Sequence, residues 1–85
     1  MATVEEFEAA AARVQRLPKT PSNDDLLELY ALFKQATAGD VSGKRPGVFD
    51  VRGRAKFDAW EKRRGMSAER AREAYVGVVA RLEGK

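Results

Sequence analysis

The chain has 85 residues, a formal net charge of +3, and neither cysteine nor histidine. Without these two residue types it has no disulfide and no thiolate nucleophile, and it lacks the commonest general base and the commonest transition-metal ligand. We therefore expect one small domain, residues 1–85, that is neither a zinc enzyme nor an ordinary hydrolase.

The amino-terminal stretch, MATVEEFEAAAARV, predicts a first helix rather than a targeting signal. Its acidic residues precede its apolar ones, whereas a secretory signal begins with basic residues. Thr3 and Glu6 form a capping-box pattern. The apolar side chains that follow share one helical face: Val4, Phe7, Ala11, Val14 and Leu17. Pro18 and Pro21 end this helix.

A second helix is predicted to open at Ser22, which repeats the capping pattern with Asp25, and to run to about Thr37. It stops near Gly39, because glycine commonly ends helices. From Gly39 to Gly53 the chain shows no helical period and is punctuated by glycine. We expect an ordered, non-helical connection there, and a connection of this length in a small domain is usually functional.

Two further helices complete the pattern. A short third helix fits Arg54 to Arg64 and ends at Gly65, and Ser67 caps a fourth. The inner stripe of the fourth helix consists of Ala71, Ala74, Tyr75, Val78, Val79 and Leu82. No segment alternates like a strand, and no apolar run approaches the ~20 residues of a membrane span. The sequence therefore predicts an all-α bundle of four helices, without stable membrane insertion and located in the cytoplasm.

Aromatic residues are candidates for both the core and a ligand site. Trp60 is predicted to fill the core with Phe7, Leu29 and Val79, and Tyr75 to be a core ring with its hydroxyl at the rim. Two interpretations fit the shared helical face of Tyr30, Phe33 and Lys34. In one, the rings belong to the core and the lysine extends along them to water. In the other, the rings are a platform for a nucleotide base and the ammonium group lies beside its phosphate.

Positive charge is concentrated in the middle of the chain. Residues 31–64 contain nine basic and four acidic side chains, whereas residues 1–30 contain three basic and six acidic ones. Arg52, Arg54 and Lys56 lie at the predicted start of the third helix, where free N–H groups and the helix dipole already favour an anion. A solvated charged face is the alternative. The pattern favours a phosphate ligand, although the sequence has no P-loop motif.

Catalysis has little support in the sequence, since nothing pairs Asp40, Asp50 or Asp58 with a nucleophile. The alternative function is a basic helical module that binds nucleic acid or an anionic membrane surface. The basic run Lys62–Arg64 keeps this alternative open, but the sequence has no helix-turn-helix, zinc-finger or RRM pattern.

Residues 30–60, YALFKQATAGDVSGKRPGVFDVRGRAKFDAW, closely resemble the acyl-CoA-binding protein family. The likeness extends over nearly the whole chain, and its most specific parts are LYALFKQATAGD, RPG, GRAKFDAW and AREAY. The resemblance implies an up-down-down-up bundle of four helices with a bowl-shaped ligand site. It also implies a non-catalytic carrier of medium- and long-chain acyl-CoA esters that needs no cofactor and no metal.

The resemblance further implies which side chains contact the CoA head group, especially its adenine and 3′-phosphate. Tyr30, Lys34, Lys56 and Tyr75 match the family positions. Phe33 replaces a tyrosine, which keeps ring stacking but removes a hydroxyl. Gln15 stands where many members have lysine, and Arg52 replaces a lysine. The full predicted contact set is Gln15, Leu27, Tyr30, Ala31, Leu32, Phe33, Lys34, Arg52, Lys56 and Tyr75.

The acyl chain requires an apolar groove. Four residues between the first two helices are the candidates: Ala10, Val14, Leu26 and Leu27. We expect a monomer that binds acyl-CoA and no nucleic acid, and that touches acyl-CoA-producing or acyl-CoA-consuming enzymes only transiently.

Overall fold

The computed structural model describes residues 2–84 and contains, within them, four helices and no strand. The helices are α1 (Val4–Val14), α2 (Asn23–Thr37), α3 (Val51–Glu61) and α4 (Ala68–Glu83). The predicted all-α fold is therefore confirmed. None of the helices in this part of the chain has the length and apolar character required to cross a membrane.

Each helix begins at a residue whose side-chain oxygen accepts a hydrogen bond from a backbone N–H of the first turn. Thr3 and Glu6 form the predicted capping box in both directions, with N···O distances of 3.1 and 3.0 Å. Ser22 and Ser67 cap α2 and α4 as the sequence predicts. These caps satisfy N–H groups that would otherwise lack partners inside the helix.

The boundaries of α3 differ from the prediction. The helix begins at Val51 rather than Arg54, because the Asp50 carboxylate accepts a hydrogen bond from the Gly53 N–H at 3.0 Å and acts as the N-cap. The carboxylate lies so close to Gly53 that a Cβ at this position would collide with it. The glycine that suggested an irregular connection is thus the residue that lets the cap approach. The non-helical connection between α2 and α3 consequently ends at Asp50.

Two ion pairs show the directions of α1, α2 and α4. Arg13, near the end of α1, pairs with Glu83 at the end of α4 at 2.9 Å, so these two helices are parallel. Arg81, also near the end of α4, pairs at 2.8 Å with Asp25 in the first turn of α2, so α2 runs the opposite way.

A hydrogen-bond network joins the ends of α2 and α3 and shows that these two helices are parallel. The Trp60 indole N–H donates to the Gly39 carbonyl at 2.8 Å. The buried Gln35 amide donates to the Asp40 carboxylate and to the Met66 carbonyl, each at 2.8 Å. Together with the direction of α1 and α4, this gives the up-down-down-up order that the resemblance implies.

The core lies between α1, α2 and α4. Its buried members are Phe7, Ala10, Leu29, Leu32, Tyr75, Val78 and Val79. Phe7, Leu29 and Val79 are in the core as predicted, but the placement of Trp60 there is wrong, since its ring is only partly buried. The reason is that α3, all of whose residues are described, packs on α2 alone and has no fully buried side chain.

Candidate functional site

The carboxyl-terminal half of α1, the middle of α2 and one position of α4 enclose an open groove of about 500 Å³. Gln15, Tyr30, Phe33 and Tyr75, four of the predicted contact residues, line this head groove, as we call it. Its other lining residues are Ala11, Val14, Pro21, Leu26 and Leu29. The groove exists because α1 and α2 both pack on α4, while their backbones make no contact within the described residues.

Phe33 and Tyr75, two of the residues that line the head groove, pack with the core residue Phe7 in a cluster of three aromatic rings. Phe33 packs against Phe7 at a centroid distance of 5.4 Å and against Tyr75 at 6.0 Å, yet 39% of Phe33 remains exposed. Phe7 and Tyr75 meet edge to face at 5.1 Å. Phe33 therefore fits both the core and the ligand-platform interpretation of the sequence, since its ring packs against core residues and still exposes surface to solvent. Such an anchored ring is suited to stack on a flat ligand, because it loses little freedom on binding.

Tyr75 is almost completely buried, and burial raises the pKa of its phenol above the ordinary value. The phenol is therefore neutral at physiological pH and keeps its proton as a hydrogen-bond donor. The Tyr75 ring is in the core as the sequence predicts, and the residue also lines the head groove.

Two lysines on neighbouring helices lie over aromatic rings of the opposite helix. Lys56 Nζ of α3 is 5.3 Å from the centroid of the Tyr30 ring on α2. Lys34 Nζ of α2 is 5.0 Å from the Trp60 ring on α3. Both pairs have the geometry of cation–π contacts. The sequence analysis placed Trp60 in the core and did not predict its contact with Lys34. Its position one turn after Lys56, a predicted contact residue, was a possible signal that it lies at the site.

Neither lysine has a carboxylate partner within 4.0 Å among residues 2–84, and the same holds for Arg52. Other cations of the bundle are paired, including Arg45 with Asp58 at 2.7 Å and Arg63 with Glu28 at 3.3 Å. The positive charge at this edge of α2 and α3 is therefore available to an anionic ligand.

A second groove of about 440 Å³ separates the first turns of α2 and α3. Leu27, Arg52 and Lys56 line it as predicted contact residues, together with Asn23, Leu26, Val51 and Ala55. We call it the aliphatic groove. Leu26 lines both grooves, so they meet at this side chain. A contact pair also links the two grooves: Tyr30 lines the head groove, and Lys56, whose Nζ lies over the Tyr30 ring, lines the aliphatic groove.

Some predicted residues lie elsewhere. Leu32 is completely buried in the core, and the buried Ala31 lines a separate depression on the far side of α2 and α3. Of the four residues predicted to form a tail groove between α1 and α2, Ala10 is completely buried and Leu27 lines the aliphatic groove instead. The remaining two, Val14 and Leu26, line the head groove.

The three aspartates weighed as acid–base candidates all have structural partners. Asp50 caps α3, and the Gly65 N–H and the Gln35 amide hold the pKa of Asp40 below its ordinary value. The hydrogen bonds from the Arg45 guanidinium lower the pKa of Asp58. Carboxylates with lowered pKa values are poor proton donors at neutral pH. The described part of the chain also holds no group of three or more side chains suited to bind a metal ion.

Comparisons with known proteins agree with the sequence resemblance. A family model described as "Acyl CoA binding protein" matches residues 4–79. The chain is 53% identical over 83 residues to an acyl-CoA-binding protein homolog of Manduca sexta, covering 96% of this chain and 92% of that one. It is 48% identical over 79 residues to the acyl-CoA-binding protein of Saccharomyces cerevisiae, covering 93% and 91% respectively. The crystal structure of Oryza sativa Acyl-CoA-Binding Protein 2 superposes with a TM-score of 0.87 at 47% identity, covering 92% of this chain and 87% of that one.

Proposed function

Because the chain belongs to the acyl-CoA-binding protein family, we propose that it binds medium- and long-chain fatty acyl-CoA esters and transports them unchanged. Members of this family are binding proteins rather than enzymes, and acyl-CoA is their ligand, not a cofactor. The proposal takes residues 1–85 as a single binding domain. The groove geometry supports a division of the ligand into three parts, each held by a different set of side chains.

The two lysines without carboxylate partners in the described chain are the observation that carries the proposal. Nζ of Lys34 on α2 and Nζ of Lys56 on α3 each lie over an aromatic ring of the neighbouring helix, and neither has a carboxylate partner within 4.0 Å in residues 2–84. Two ammonium groups at one edge of the bundle repel each other, and an anion between them removes that repulsion. The 3′-phosphate of CoA is such an anion, and Arg52 extends the positive edge toward the rest of the head group. Each charge-assisted hydrogen bond to phosphate is worth roughly 1.5–3 kcal/mol.

The adenine is assigned to the head groove, where Tyr30 and Phe33 offer ring surface beside the two lysines. Base–aromatic stacking contributes about 1–3 kcal/mol per base. The neutral Tyr75 hydroxyl and the Gln15 amide supply hydrogen bonds to the edges of the ligand. Ala31 and Leu32 act indirectly in this scheme, since their packing fixes the part of α2 that presents Tyr30, Phe33 and Lys34.

The acyl chain is assigned to the aliphatic groove. Its hydrocarbon lining consists of Leu26, Leu27, Val51 and Ala55, and two of them, Leu26 and Val51, are substantially exposed. Covering them with a tail contributes up to ~0.8 kcal/mol for each fully buried CH₂ group. The grooves meet at Leu26, so one ligand can run from the rings to the aliphatic groove past Lys56.

Isothermal titration calorimetry with palmitoyl-CoA, free CoA and a DNA oligomer tests the proposal. We expect palmitoyl-CoA to bind tightest, free CoA to bind more weakly because it has no tail, and the oligomer to bind negligibly at physiological salt. Equal affinity for palmitoyl-CoA and free CoA would show that the aliphatic groove does not hold the acyl chain. Tight, strongly salt-dependent binding of the oligomer would instead favour a polyanion-binding module.

The remaining expectations are part of the same proposal. A monomeric carrier in the cytoplasm that makes only transient contacts with acyl-CoA-producing or acyl-CoA-consuming enzymes fits a protein whose ligand must be delivered and released. Analytical ultracentrifugation with and without ligand checks the monomeric state.

A further inference from the structure

The connection between α2 and α3 ends in an apolar tip formed by Val48 and Phe49. Phe49 is 97% exposed and Val48 65% exposed, which makes Phe49 the most exposed of the large apolar side chains in residues 2–84. Isolated exposed apolar residues are common, but a fully exposed phenylalanine next to a valine is not explained by packing within the bundle.

The exposure of the tip results from a defined local structure. The Asp50 N–H donates to the Gly47 carbonyl at 3.0 Å, and this bond closes a turn with Val48 and Phe49 at its centre. On one side, Arg45 donates two hydrogen bonds, of 2.8 and 2.7 Å, to the Asp58 carboxylate of α3. On the other side, Asp50 caps α3. The two apolar side chains are therefore held away from the protein by anchors on both sides.

The surroundings of the tip are basic. Residues 44–56 contain five basic side chains and one acidic one, Asp50, whose carboxylate is engaged in the cap. The nearby carboxylate of Asp58 is bound by Arg45. Lys44 and Arg52 are exposed and have no carboxylate partner within 4.0 Å in the described chain. Cations without partners thus flank an apolar tip.

We propose that the Val48–Phe49 tip, with Lys44 and Arg52 beside it, is a reversible docking surface for an anionic lipid bilayer. Apolar side chains between basic residues are typical of segments that bury their apolar side at the boundary between head groups and acyl chains. Lysine and arginine near such a surface are attracted by anionic lipids. A protein partner fits Lys44 less well, because lysine is depleted in protein–protein interfaces.

The tip is also next to the aliphatic groove, since Val51, two residues after Phe49, lines that groove. Docking through the tip turns this end of the groove toward the bilayer. The docking itself needs no acyl-CoA, so it can be tested on the ligand-free protein independently of the proposed function.

The test is flotation of the ligand-free protein with vesicles of phosphatidylcholine alone or of phosphatidylcholine mixed with phosphatidylglycerol. We expect binding to the mixed vesicles, and a reduction of at least about tenfold in the partition coefficient for Phe49→Ser, since a phenylalanine side chain would no longer be buried. Val4→Ser is the matched control, because Val4 is a 49% exposed apolar residue on α1. It should bind as the parent does.

The charge contribution is tested with Lys44→Gln, which should weaken binding to the mixed vesicles about fivefold and leave binding to phosphatidylcholine unchanged. Lys19→Gln, an exposed lysine on the α1–α2 connection, is its control. The proposal is overturned if the parent does not float with the mixed vesicles, or if Phe49→Ser floats equally well. It is also overturned if Phe49→Ser keeps vesicle binding but loses octanoyl-CoA binding in calorimetry, because the tip would then belong to the ligand site.

Discussion

Removal of the Lys34 ammonium group is the sharpest test of how the head group is held. This group lies 5.0 Å from the centroid of the Trp60 ring, and Lys34 is half-buried. A cation–π contact that is still partly exposed is worth roughly 1 kcal/mol, so Lys34→Ala should lower the free energy of unfolding by about that amount. If a phosphate accepts a charge-assisted hydrogen bond from the lysine, the loss in binding is larger, roughly 1.5–3 kcal/mol. That range corresponds to an increase of about 12- to 150-fold in Kd.

The assay is a double-mutant cycle measured by calorimetry. Parent and Lys34→Ala are titrated with an acyl-CoA ester and with its dephospho analogue, which lacks only the 3′-phosphate. We expect a coupling energy of roughly 1.5–3 kcal/mol between the lysine and the phosphate. Lys56→Ala should give a value near the lower end of that range, because Lys56 is exposed and water competes for the same hydrogen bond.

Lys62→Ala is the matched control for this cycle. Lys62 is an exposed lysine at the end of α3 that lines the depression on the far side of α2 and α3. Its coupling to the 3′-phosphate should be close to zero. A coupling close to zero at both Lys34 and Lys56 would refute the assignment of the phosphate to these two ammonium groups, whatever the total affinity for the ligand.

Three further predictions concern the ring, the tail and the loop anchor. Phe33→Ala should weaken acyl-CoA binding by ~1–3 kcal/mol, whereas Phe33→Tyr should change it little; an alanine variant that stays folded and binds like the parent would show that the ring does not stack. Leu26→Ser should reduce the gain in affinity from acetyl-CoA to palmitoyl-CoA in calorimetry, and an unchanged gain would exclude the aliphatic groove. The lowered pKa of Asp40 means that the unfolded state binds its proton more readily, so its contribution to stability is complete above the ordinary value of 3.8 and is lost as pH falls through the folded value. In urea unfolding below about pH 4, Asp40→Asn should therefore lose less stability with falling pH than the parent, and equal slopes would contradict this.

Local sequence signals predicted three of the four helix starts. Thr3, Ser22 and Ser67 cap where the pattern places them, because a cap depends on a side chain and on N–H groups only two or three residues away. The start of α3 was predicted too late because Gly53 was taken as part of an irregular connection, although Asp50 caps the helix across it. The resemblance to a family supplied the contact set, since the individual residues alone left core and ligand interpretations of Tyr30 and Phe33 open.

The sequence by itself determined that there are four helices and where three of them begin. It also determined the predicted core members Phe7, Leu29 and Val79 and the surplus of positive charge in the middle of the chain, because these depend on residue type and on spacing along one element. Only the tertiary structure decided which side chains meet across elements. It placed Trp60 beside Lys34 rather than in the core, because α3 packs on α2 alone and leaves its side chains partly exposed. It also opened two grooves that meet at Leu26, because the separation of α1 from α2 and of α2 from α3 is fixed by how whole helices pack and not by any local pattern.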